Sequence, residues 1–133
     1  MRVLVDTSVL SQAFRRHSPE PNETALALAR LIKDPGILII GPVRQEILSG
    51  IREAARFSQL KEELRVYRDQ NPLTEDFEKA AEMFNSCQSA GIQGSDTDFL
   101  ICAMAARLGA AIFTLDKDFE RYAKHLPIHL YAA

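Results

Sequence analysis

Cysteine, long apolar runs and blocks of one charge sign are all scarce in this 133-residue sequence. The two cysteines, Cys87 and Cys102, have a spacing that matches no metal knuckle. Cys102 lies inside an apolar stretch as a small hydrophobe would, so both read as buried, reduced thiols. No apolar run approaches the roughly 18 residues of a membrane span. The start, Met1-Arg2-Val3-Leu4-Val5-Asp6, reaches an acid after three apolar positions, too soon for a signal-peptide core. A cytoplasmic protein without a membrane contact is therefore expected. The formal net charge of −2 argues against holding nucleic acid by a broad basic surface. A nucleic-acid role would have to use metal ions or a local basic patch.

What is present is an ordinary globular composition, 47% hydrophobic and 26% charged, long enough to bury one continuous core. A single domain over residues 1–133 is expected. Four short runs, Arg2 to Val5, Ile37 to Ile40, Ala111 to Leu115 and Ile128 to Tyr131, are apolar on both faces, the signature of parallel strands covered on both sides. Helical patterns lie between them, over Thr24 to Lys33 and Pro42 to Ser49, then Arg52 to Asp69 and Glu75 to Ala90 as two amphipathic surface helices. Phe99 to Leu108 is apolar almost all round, as suits a central buried helix, and Ser95-Asp96-Thr97-Asp98 before it has the form of a capping box. Strands interleaved with helices predict an α/β three-layer sandwich, with a central parallel sheet flanked by helices. Pro19-Glu20-Pro21-Asn22 reads as the clearest loop.

In open parallel α/β folds the ligand site lies at the carboxyl ends of the strands. Asp6 follows the first apolar run and Asp116 follows Ile112-Phe113-Thr114-Leu115, so both should emerge on one edge. Asp98 falls in the first turn of the buried helix, and Glu46 one turn into the helix after the second strand. Four carboxylates gathered at one edge raise one another's pKa unless a cation neutralises them. The cluster therefore implies a metal. An all-oxygen donor set without His or Cys suits Mg²⁺, with Mn²⁺ able to substitute, rather than Zn²⁺.

Each of these residues also has an ordinary structural reading. Asp6 can be a strand end and helix cap, Asp98 the acid of the capping box, Asp116 the cap of a short helix over Lys117 to Ala123, and Glu46 a solvated partner of a helix dipole. Agreement among the four carries the weight. Asp96 and Asp118, each two residues from a chosen acid, rank second, with Asp96 better suited to the N-cap. Thr7 and Thr114 are candidate hydroxyls for orienting Asp6 and water. His17, His125 and His129 have no evident Asp or Ser partner and read as structural or solvated. Arg15, Arg16, Arg44, Arg52 and Arg56 are candidates to line an RNA-binding groove, or else solvated helix faces.

At this point the pattern resembles the PIN domains, and among them the VapC-type toxins of toxin–antitoxin pairs. The carriers are Val5-Asp6-Thr7-Ser8-Val9, Val43-Arg44-Gln45-Glu46-Ile47, Asp98-Phe99-Leu100-Ile101-Cys102-Ala103 and Thr114-Leu115-Asp116-Lys117-Asp118-Phe119, which together span nearly the whole chain. Cys102 stands where Ala is common, a difference of packing rather than chemistry. The resemblance implies a PIN-like sheet of four to five strands, with an extra short strand near Asn71 to Leu73. It also implies metal binding by Asp6, Glu46, Asp98 and Asp116. The activity implied is a single-strand-specific endoribonuclease, often acting on structured RNA such as tRNA, that leaves a 5′-phosphate and a 3′-hydroxyl. A homodimer and inhibition by a small VapB-type antitoxin, whose basic side chain blocks the acidic pocket, are implied as well.

Two other enzyme classes begin in a similar way. A phosphatase of the haloacid-dehalogenase type needs a second Asp two residues after the first, and position 8 is Ser. A response-regulator receiver needs a strand-end Lys and an early acidic pair, which are not found. A PIN fold kept as an RNA- or protein-binding module is the remaining alternative from a different class.

Overall fold

The computed structural model describes residues 1–14, 22–33 and 35–132. In chain order it runs β1 (Val3–Val5), α1 (Thr7–Ala13), α2 (Glu23–Ile32), β2 (Ile37–Ile39), α3 (Gly41–Leu48) and α4 (Ala54–Glu63). A 3-10 turn over Leu64–Val66 leads into β3 (Arg68–Asp69), followed by α5 (Thr74–Ser89), α6 (Asp96–Leu108), β4 (Ala111–Phe113), α7 (Asp118–Ala123) and β5 (His129–Leu130). The five strands form one sheet in the order β3-β2-β1-β4-β5, and every pairing is parallel. Val3, Leu4 and Val5 of β1 and Ile37, Leu38 and Ile39 of β2 are all buried. Successive residues point to opposite faces of a sheet, so burial of all of them means that both faces are covered. That is the expected three-layer α/β arrangement.

The order of strands decides where a site can lie. From β1 the chain steps outward to β2 and β3, then returns to the other side of β1 to lay down β4 and β5. The path therefore reverses direction between β1 and β4, and in sheets of this kind a crevice opens there, outside the carboxyl ends of the two strands. Register places Val5 opposite Phe113, and the Asp6 N–H donates to the Phe113 carbonyl at 2.9 Å. The residues that follow, Asp6 and Thr114, are thereby side by side.

Helix α6 is the buried element that the apolar run predicts, with Phe99 through Ala105 all buried. Each large side chain so buried contributes about 1.5–3 kcal/mol, which is why a helix with little amphipathic character is stable in the middle of the molecule. It is stopped by Gly109, whose φ of 64° is left-handed and comfortable only without a Cβ. Its N-cap is Ser95, whose Oγ accepts the Asp98 N–H at 3.1 Å. Asp96 is therefore the first helical residue, not the cap.

Two expectations are corrected at the sheet edge. The helix expected over Arg52 to Asp69 ends at Glu63, and its last residues form the 3-10 turn and β3. The extra strand lies at Arg68–Asp69 rather than near Asn71 to Leu73, where Pro72 could not donate to a ladder. The cause of both is Arg44 on α3. Its guanidinium donates to the Leu64 carbonyl at 3.1 Å, the Tyr67 carbonyl at 3.1 Å and the Asp69 carboxylate at 3.0 Å. That tie terminates the helix and lays β3 against β2, pairing Leu38 with Arg68 and Ile39 with Asp69. The remaining strands are shorter than their apolar runs by one or two residues. Among the described residues no helix is long and apolar enough to cross a membrane.

Candidate active site

Asp6 ends β1 and precedes α1, and only 6% of it is exposed. Its carbonyl accepts the N–H groups of Val9 and Leu10, but its side chain does not cap the helix. The carboxylate turns toward β4 instead. There Oδ2 accepts the Ser8 hydroxyl at 2.7 Å and the Thr114 hydroxyl at 2.9 Å. Each hydroxyl has a single proton, so with both given to Asp6 the 3.3 Å approach of Ser8 Oγ to Thr114 Oγ1 is a contact rather than a bond. The lone pairs of the same two oxygens accept the Leu115 N–H and the Asp116 N–H, both at 3.0 Å. Asp6 is thus pinned by two hydroxyls that also shape the turn carrying Asp116.

Asp116 in turn accepts the Asp118 N–H on Oδ1 at 2.9 Å, at the start of α7. Asp98, in the first turn of α6, takes the Tyr122 hydroxyl on Oδ2 at 2.8 Å. Its pKa is raised, first by burial and then by the charges of Asp6 and Asp116, while the Tyr122 and Ser95 hydroxyls pull the other way. Asp98 consequently lies in the field of the other two aspartates. Tyr122 is fully buried, and burial together with its bond to Asp98 pushes its phenol well above the usual range, so it stays a protonated donor. Glu46 is exposed on α3 and accepts the Thr7 hydroxyl at 2.8 Å.

Second-ranked residues separate into different jobs. Thr114 binds Asp6, and Thr7 binds Glu46 rather than Asp6. Asp118 pairs with Arg121 on the same helix, and Asp96 is exposed. Arg44 is committed to β3 and the preceding turn, as described above, which leaves its guanidinium little freedom for a groove. Arg15 and Arg16 lie outside the described residues, as does His17; His125 and His129 are exposed. Arg52 and Arg56 do line a groove of about 500 Å³ that begins at Glu46 and is floored by Phe14, Ile47, Ile51 and Leu60. Within it Arg56 is partly held, donating to the Phe14 carbonyl at 3.0 Å. Ser95 was legible as the head of the capping box, but Ser8 and Tyr122 are polar residues of the site to which sequence reasoning gave no role. Ser8 had a signal, since a hydroxyl two residues after a strand-end acid can fold back on it; Tyr122 had none.

The sequence matches the PIN domain over residues 3–125. The chain belongs to the PIN-domain family. PIN domains are in general nucleases. No curated protein matches by sequence. Among solved structures, FitAcB from Neisseria gonorrhoeae shares 19% identity at a TM-score of 0.76, covering 98% of this chain and 96% of its own. VapBC2 from Rickettsia felis, bound to a DNA fragment from its promoter, shares 20% at a TM-score of 0.80 and 98% coverage of both chains. A toxin–antitoxin complex from Klebsiella pneumoniae shares 19% at 0.68, covering 88% of this chain and 89% of its own. At these identities the likeness is one of fold.

A divalent cation can be tested against this PIN domain's own donors. Asp6, Asp98 and Asp116 offer only carboxylate oxygen, the hard donor set of Mg²⁺ or Mn²⁺, and the raised pKa of Asp98, due first to burial, also carries contributions from the charges of Asp6 and Asp116. Among the described residues no three His, Cys, Asp or Glu side chains are drawn together as a ready-made ligand set. Each aspartate is held instead by a hydroxyl or a main-chain N–H. In charge and donor type the residues fit a hard divalent cation.

Proposed function

We propose that this PIN domain is a divalent-metal-dependent endoribonuclease and the toxin of a VapBC-type pair. The observation that carries the proposal is geometric: beside the point where the strand order reverses, Asp6 is held by the Ser8 and Thr114 hydroxyls that also carry the turn of Asp116, and the charges of both acids reach Asp98. Like charges that reach one another in this way are relieved by a cation between them. Asp6, Asp98 and Asp116 are the residues that would hold it, with Glu46 completing the set or orienting water. When bound, Mg²⁺ or Mn²⁺ supplies Lewis acidity toward a phosphodiester.

The chain's own part is positioning. Ser8 and Thr114 fix the Asp6 carboxylate, and the cap on Asp116 fixes the turn that presents it, so the acids are oriented before substrate arrives. Among the described residues no histidine lies beside these groups, so general-base work would fall to Glu46 or to another carboxylate. The groove lined by Arg52 and Arg56 beside Glu46 would take the RNA backbone.

RNA rather than DNA as substrate, tRNA among the candidates, rests on the resemblance to VapC-type toxins, as do the homodimer and the cytoplasmic location. A small VapB-type antitoxin as partner is supported by the toxin–antitoxin complexes among the structural neighbours. An acidic crevice suits a partner with a basic tail. The test is cleavage of total cellular RNA by partner-free protein in Mg²⁺ or Mn²⁺, against Asp6→Asn and against EDTA, with the ends mapped. Discrete cuts lost in the variant and with EDTA are expected. Absence of any cleavage by folded protein would move the reading to an RNA- or protein-binding module.

A further inference from the structure

Tyr122 is a fully buried tyrosine whose hydroxyl is spent on one of the site's acids. Its ring is clamped between Phe99 and Phe119, with centroids 4.9 Å and 5.1 Å away. The hydroxyl reaches Asp98 Oδ2 at 2.8 Å. Room for that reach is made by Gly94: a Cβ there would lie 2.3 Å from the Tyr122 hydroxyl oxygen and 2.8 Å from Cζ. The same Cβ would lie 2.9 Å from Phe99 Cε2, so a side chain at position 94 forces the phenol, the Phe99 ring or the backbone at 94 to shift and disturbs the packing that aims the hydroxyl at Asp98. Glycine, tyrosine and aspartate therefore form one device, and α7 is the strut that carries its donor.

We propose that Tyr122 is a positioning residue that holds the Asp98 carboxylate in a single orientation for a cation, with Gly94 as the clearance that lets it do so. The inference rests on the metal reading of the site above. Geometry gives the reason. A first-turn aspartate on a helix can swing its carboxylate, and near Asp6 and Asp116 repulsion favours swinging away. A phenol embedded between two rings has no freedom to follow, so it fixes one oxygen of Asp98 where the packing of α7 dictates. Partners of this kind, behind a ligand, typically set 10- to 100-fold of metal affinity.

The test pairs metal-free crystal structures with Mn²⁺ titration of wild type, Tyr122→Phe, Gly94→Ala and Asp98→Asn. Tyr122→Phe keeps the ring and removes only the hydroxyl. Gly94→Ala keeps the hydroxyl and crowds the pocket that seats it. In wild type the Asp98 carboxylate should occupy one rotamer, and in both tether variants it should rotate or split. Mn²⁺ should bind wild type, not Asp98→Asn, and about tenfold more weakly to the two tether variants. An Asp98 carboxylate in one unchanged place in Tyr122→Phe overturns the tether. Unchanged Mn²⁺ affinity despite a moved carboxylate overturns its role toward the cation. Wild type that binds no Mn²⁺ defeats the metal reading itself, and this role with it. Should Tyr122→Phe fail to fold, Gly94→Ala gives the same two readouts.

Discussion

Replacing Asp76 by Asn should destabilise the protein by about 2–3 kcal/mol while leaving the acidic crevice intact. Asp76 is only 2% exposed and sits at the start of α5. Arg107, near the end of α6, grips it with two bonds of 2.7 Å and 2.8 Å, and the Leu73 N–H adds a third at 2.8 Å. Breaking a buried pair by removing one partner costs about 3–5 kcal/mol. The Arg107 side chain is 31% exposed and can turn to water, and Asn keeps an acceptor for Leu73, so the loss falls at or just below the bottom of that range, about 2–3 kcal/mol. At about 2.1 cal/mol/K per residue of unfolding entropy, the loss over 133 residues lowers Tm by roughly 7–11 °C. The pH dependence has a definite sign. The Arg107 hydrogen bonds hold the Asp76 carboxyl below its ordinary 3.8, outweighing burial, which raises it. The folded state thus binds this proton less readily than the unfolded chain. The stabilisation is complete above the unfolded value and disappears as pH falls through the lower folded one. Thermal unfolding of wild type and Asp76→Asn at pH 7 and at pH 3 measures both effects. A loss under 1 kcal/mol at pH 7, or a gap that does not narrow in acid, would refute the reasoning.

Arg44→Met should cost about 1.5–3 kcal/mol for the lost bonds of a charged donor and should speed amide exchange in β3 and at Gln70, whose N–H pairs with Ile39. A variant that instead weakened RNA binding with unchanged stability would return Arg44 to the groove. Cys87 and Cys102 are fully buried, and burial pushes both thiols up. Neither should react with a thiol reagent in native protein, and both should on unfolding; rapid native labelling of either would contradict the packing of α5 against α6.

The parallel sheet was legible because β1, β2 and β4 are buried on both faces, and burial on both faces leaves unbroken apolar runs in the sequence. β3 has no such trace. Its residues, Arg68 and Asp69, are both exposed, and nothing local distinguishes them from the polar face of the helix before. They become a strand because β2 offers an open edge and because Arg44, over twenty residues earlier, ties down the carbonyls of Leu64 and Tyr67. Strand and helix boundaries here are tertiary facts. The Asp76–Arg107 pair was equally silent, since α5 reads as a surface helix and shows no reason to bury an acid.

The site divides along the same line. A strand-end acid can be read from the apolar run before it, so Asp6 and Asp116 were visible in outline, as was Asp98 from its place ahead of the central helix. Their partners were not. Thr114 lies 108 residues from the Asp6 it holds, and the two meet only because β1 and β4 are neighbours across the point where the sheet reverses. Tyr122 is harder still, because at its position an apolar residue would fill the core as well, and only the placement of α7 over the start of α6 turns its hydroxyl toward Asp98. The chain therefore advertises its charges and conceals what aims them. The charges follow from local position at the ends of strands and helices, whereas the donors depend on which elements the topology sets side by side. For the same reason a substitution that leaves every acid in place, such as Gly94→Ala, can be expected to impair this site.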